Sequence, residues 1–108
     1  MNTAESSDPM DRALTEACEL VARRFALRPI DVRDGAGVAA KHARWVVWTI
    51  LRDVTGWELA DIVETNGVSR MGVVYGLSEL QGKINGRRAD KALKARVEAC
   101  LREAGGGT

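Results

Sequence analysis

A chain of 108 residues has room for one small domain and none for a second, since by area scaling it buries roughly two-thirds of its unfolded surface around one core. Its apolar fraction of 45% and charged fraction of 29% are those of an ordinary soluble globular protein. The net charge of +1 excludes neither an anionic nor a neutral partner, but no apolar run approaches the roughly 18 residues of a membrane span.

Charge is uneven along the chain. Residues 1–20 carry Glu5, Asp8, Asp11, Glu16 and Glu19 against Arg12 alone. Residues 83–102 carry Lys83, Arg87, Arg88, Lys91, Lys94, Arg96 and Arg102 against Asp90 and Glu98. A basic end on a near-neutral chain suits contact with an anionic polymer, and equally a solvated helix face.

In chain order, residues 1–8 are expected to form a flexible acidic arm, too polar for a secretory signal. Asp8-Pro9-x-Asp11 then opens a helix: Asp8 caps, Pro9 fits the first turn and Asp11 faces the positive end of the dipole. Leu14, Cys18, Val21 and Phe25 give that helix one apolar stripe. Pro29 breaks the period, and RDGAGVAA is expected to be a loop. A second helix is predicted from about Ala39 to Val54, with Val47, Leu51 and Val54 facing inward and Trp48 and Ile50 beside them. Thr55-Gly56-Trp57-Glu58 has the form of a capping box opening a short helix, WELADIVE. Asn66-Gly67 is a turn and Ser69 caps the next helix, which carries Val73, Val74, Leu77 and Leu80 and stops at Asn85-Gly86. The last helix, Ala89 to Glu103, places Leu93, Val97, Cys100 and Leu101 on one face, and residues 105–108 are expected to be a disordered glycine tail. The expected fold is all-α, a compact domain of four to five helices over residues 9–104.

Several motifs resemble chemistry without the context that chemistry needs. Gly35-Ala36-Gly37-Val38-Ala39-Ala40 follows the dinucleotide fingerprint in letters, but that fingerprint works only between a strand and a helix of a parallel sheet. Gly76 to Gly82-Lys83-Ile84 is one residue too long for a phosphate loop and lacks its Ser or Thr. His42 has no metal or catalytic partner at a useful spacing, and Cys18 and Cys100 read as small core residues of a reduced, cytoplasmic protein. Trp45, Trp48 and Trp57 read as core before they read as a stacking platform. No nucleophile has a base beside it, so an enzyme, a cofactor, a metal and a small-molecule substrate are all unexpected.

What remains is VTGWELADIVETNGVSRMGVVYGLSEL, a short capped helix, a turn and a second capped helix. That is the grammar of a helix-turn-helix, placed at about residues 56–82. Its second helix would present Ser69, Arg70, Met71 and Gly72 to base edges, with Tyr75 one turn on. The same spacing also serves two helices of an ordinary bundle.

From Val21 to about Glu103 the chain resembles the C-terminal DNA-binding domain of the bacterial replication initiator DnaA. VARRFALRPIDV is similar to that family's first helix and following turn. AKHARWVVWTILRDVTGWELADIV is similar to its long helix and the first helix of its helix-turn-helix. The resemblance implies a helical fold of the DnaA C-terminal or Trp-repressor kind and binding to double-stranded DNA. The family's signature Gly-Arg-Asp-His-Thr-Thr-Val faces Gly67-Val68-Ser69-Arg70-Met71-Gly72-Val73-Val74 here, and either Val73 or Val74 takes its valine. In neither register does the Asp-His-Thr-Thr set return. The family's arginine-rich basic loop is reduced to Lys41, His42 and Arg44.

The sequence therefore leads to the expectation of a stand-alone, nucleoid-associated DNA-binding regulator of transcription or replication, with phage or mobile-element origin as one option. Ser69, Arg70, Met71, Gly72 and Tyr75 would face the bases, Lys41, His42 and Arg44 the flanking backbone or minor groove, and Lys83, Arg87 and Arg88 further phosphates. A homodimer, or a replication or transcription partner, would strengthen so small a footprint. The rival expectation is a protein-interaction module of the same fold that docks on that machinery without specific DNA binding.

Overall fold

The computed structural model describes residues 8–106, and every regular element among them is a helix. In chain order these are α1 (Pro9–Phe25), α2 (Pro29–Asp34), α3 (Val38–Asp53), α4 (Leu59–Asn66), α5 (Arg70–Asn85) and α6 (Lys91–Ala104). The all-helical expectation holds. The arm expected over residues 1–8 lies outside the described residues except for Asp8. Of the expected glycine tail, residues 107–108 lie outside them, whereas Gly105 and Gly106 form the turn that closes α6.

Short polar side chains start three of these helices by accepting first-turn amides that have no partner within the helix. Asp8 Oδ1 accepts from Met10 N at 2.9 Å, Ser69 Oγ from Gly72 N at 2.9 Å, and Asp90 Oδ1 from Leu93 N at 3.0 Å. Asp90 as cap moves the start of the last helix to Lys91, two residues beyond the expected Ala89.

Two expectations are corrected. The first concerns Pro29, which starts a helix instead of merely ending one: it sits at the first helical position of α2, where its missing N–H costs nothing. Arg28 straps that turn through a two-pronged bond to Asp31, at 2.8 and 3.2 Å. Only Gly35-Ala36-Gly37 is left of the expected loop, and the helix count becomes six. The second concerns the start of α4. Thr55 N donates to Ile50 O at 3.0 Å and Trp57 N to Leu51 O at 2.9 Å, so these residues are still closing α3. The cap is therefore Glu58, whose N–H donates to Asp61 Oδ2 at 3.1 Å, and Thr55 has no part in it.

The core is organised around α3, which packs against each of the other five helices. Every residue from Trp45 to Leu51 is buried, so this segment has no solvent face. Val54, expected to face inward, is instead the C-cap of α3 and is 39% exposed. Leu14, Cys18, Val21 and Phe25 from α1 meet α3 on one side, and Val73, Leu77, Leu80 and Ile84 from α5 meet it on another. Leu93, Val97 and Cys100 of α6 complete the cluster. At its edge the Arg96 guanidinium lies 5.0 Å from the centre of the Phe25 ring, and Glu103 takes both Arg23 and Arg24 at 3.0 Å.

Candidate nucleic-acid interface

The geometry of the region begins with α4 and α5, joined by Gly67, Val68 and Ser69. Gly67 ends α4 in the left-handed conformation (φ 66°, ψ 32°), which glycine adopts without steric cost, and its N–H bonds back to Val63 O at 3.1 Å. Ser69 then caps α5, so the turn is fixed at both ends by hydrogen bonds. Ile62 of α4 and Val73 of α5 are fully buried, which pins both helices to the core.

α5 is seated closely on α3. Gly76 lies directly on the indole of Trp45 and the far edge of Trp48, and a Cβ there would fall well inside van der Waals contact with both. The face of the first two turns turned away from α3 is open to solvent. Arg70 is exposed, and so are Met71 (79%), Val74 (46%) and Tyr75 (58%). Of the two valines, Val73 is the core residue and Val74 the surface one. The Tyr75 ring stands edge-on to Trp45 at 6.2 Å, and Trp45 is in turn 5.4 Å from His42. An aromatic run thus crosses from the surface of α5 to the first turns of α3.

Trp45 and Trp48 are core side chains, as expected, and Trp57 is half-buried against the same cluster. The Trp48 Nε1 donor is buried without a partner. His42 is half-buried rather than on the open surface. Burial holds its pKa below the usual histidine value, reinforced by the Lys83 and Lys41 ammonium groups and opposed by Asp90. Lys83 at the end of α5 therefore lies within electrostatic reach of His42 near the start of α3. Arg87 and Arg88 continue the cationic surface as exposed residues of the turn between α5 and α6. Sequence spacing alone does not reveal that Lys83 lies near His42.

Arg44 is placed differently from Lys41 and His42. Its Nε donates to Val32 O and Arg33 O, both at 3.0 Å, and its Nη2 to Gly35 O at 2.7 Å. These are carbonyls at the end of α2, and a planar guanidinium is the side chain that can serve all three at once. The structure gives Arg44 this intramolecular task, not an outward position beside a groove.

The remaining chemistry is sparse. Both thiols are buried and their pKa values are pushed up to about 11 by that burial, which suppresses the reactive thiolate. Among the described residues no three His, Cys, Asp or Glu side chains group as a metal site, and no helix is long and apolar enough to cross a membrane. No protein-family profile matches the chain, and neither a curated protein nor a solved structure matches it.

Proposed function

We propose that the chain is a regulator of transcription or replication that binds double-stranded DNA through a helix-turn-helix of the DnaA C-terminal kind and sits on the nucleoid. The observation that carries this reading is α5 itself: a capped helix, set off from α4 by a hydrogen-bonded turn, whose first residues Arg70 and Met71 stand clear of the rest of the molecule. Such a helix can enter a major groove. Ser69, Arg70, Met71, Gly72 and Tyr75 would then face base edges. Lys41, His42 and Lys83, with Arg87 and Arg88 beside them, would meet phosphates. Only the register with Val73 on the family signature's valine puts that apolar residue in the core, which leaves Ser69 and Arg70 where the signature has Asp and His.

Titration of a labelled duplex at rising salt tests this. Affinity is expected to fall with a logarithmic slope of about −0.9 for each phosphate neutralised. Arg70→Ala is expected to weaken binding by about five- to 150-fold, the range for loss of a base-contacting arginine. Salt-independent binding, or an Arg70→Ala variant equal to the parent, would sink the reading.

One observation favours a second reading, a protein-docking module of the same fold: the exposed middle of α5 is apolar rather than cationic. A docking module would bind no duplex at any salt and would be indifferent to Arg70→Ala in that assay.

A further inference from the structure

The exposed residues of α5 between Met71 and Gly82 are Met71, Val74, Tyr75, Ser78, Gln81 and Gly82, and none is charged. Met71, Val74 and Tyr75 are the only exposed large apolar residues of this helix, and they adjoin one another on its first two turns. On α5 itself the cations stand at the ends of this span, Arg70 before it and Lys83 after it, while Glu79 within it is half-buried and Arg52 of α3 lies beside Val74. Beneath Val74 the surface dips into a shallow groove of about 340 Å³ lined by Leu59, Leu77, Ser78, Gln81 and Arg52.

In a major groove the hydrogen-bonding edges of bases are met by Arg, Lys, Asn, Gln, Ser and the acids, whereas the C5-methyl of thymine is met by apolar atoms. The apolar strip Met71, Val74 and Tyr75, next to Arg70 at the start of the helix, has the polarity of a major-groove floor carrying thymine methyl groups beside a phosphate margin. From this match we propose that the recognition surface of α5 reads thymine C5-methyl groups, with Met71 and Val74 as specificity-determining side chains and Tyr75 closing the strip. The inference rests on the DNA-binding reading and adds to it the class of sequence read: runs rich in A·T pairs, recognised by their methyl groups rather than by hydrogen bonds. Met71 is the best single probe, because its exposure makes replacement harmless to the fold.

The test uses the full chain and a random-sequence pool of short duplexes amplified in two ways, with thymidine or with deoxyuridine triphosphate. The two pools share sequence and charge and differ by the methyl group alone. In competition anisotropy the uracil pool is expected to compete about fourfold more weakly for each methyl seated on the strip. Met71→Gln is expected to narrow the ratio between its affinities for the two pools, whatever its absolute affinity for either. Equal competition by both pools against the parent would overturn methyl reading and leave DNA binding standing. Binding to neither pool would overturn both, and would assign the strip to contact with a protein surface.

Discussion

Replacing a glycine inside a helix by alanine ordinarily stabilises it, by about 1 kcal/mol, through reduced chain entropy and better propensity. Gly76 and Gly82 lie in the same helix and should answer with opposite signs. At Gly82 a Cβ meets nothing within 4 Å, so Gly82→Ala is expected to raise the melting temperature by about 4–8 °C, the shift that 1 kcal/mol gives a domain of this size. At Gly76 the Cβ would collide with the Trp45 and Trp48 rings, which are buried and have no room to retreat. Overpacking costs about 1–3 kcal/mol and exceeds the propensity gain, so Gly76→Ala is expected to lower the melting temperature in a thermal scan. A rise at both positions would show that α5 is not seated on the indole. Gly76 attracted notice in the sequence only as part of a false phosphate loop, because nothing in its spacing tells that two tryptophans from another helix converge on it. Arg44 escaped for the same reason. Its charge suited a phosphate, and the carbonyls that occupy it belong to a short helix read as loop.

At the level of elements, the apolar periods were sound guides and the boundaries were not. The stripe Leu14, Cys18, Val21 and Phe25 is buried as its spacing implies, since tertiary packing enforces a period of 3.6. Caps are harder to read because several polar residues near a helix start can each compete for the same amides. Thr55 and Glu58 stand at capping-box spacing, yet the backbone at Thr55 and Trp57 is held by the last carbonyls of α3, which delays α4 until Leu59. The consequence is measurable by chemical denaturation. Asp61→Ala removes the acceptor of the Glu58 N–H and a negative charge from the first turn, and is expected to cost about 1 kcal/mol. Thr55→Ala is expected to stay within about 0.5 kcal/mol of the parent, like other exposed substitutions that break no cap. The reverse ranking would restore Thr55 as the cap. The succession of α4, turn and α5 was legible because its signals are local: Asn66-Gly67 for the turn and Ser69 for the restart. Which of its residues face outward was not, since Val73 and Val74 differ only in which one α3 covers.

For the whole molecule, the sequence located a basic end in α5 and α6 but not the nearness of Lys83 to His42, which depends on how α3 packs on α5. α3 is the common partner of all the other helices, so no part of the core is complete without it. A core shared in this way should open as one unit, and the two cysteines report on it from α1 and α6. In the folded chain both thiols are buried with pKa values raised to about 11 from 9.0, so at pH 8 each carries about a hundredfold less thiolate than the same group once unfolded. Burial also bars a bulky disulfide reagent from either sulfur. Single-cysteine variants, Cys18→Ala and Cys100→Ala, are therefore expected to be almost silent to such a reagent without denaturant. As denaturant rises, the remaining thiol in each should become labelled over the same range in which helical circular dichroism is lost. Two coincident curves would mean that α1 and α6 leave the core together. Labelling of Cys100 at a lower denaturant concentration, with ellipticity largely retained, would show that α6 detaches first. The cationic turn before α6 would then be anchored less firmly than α5.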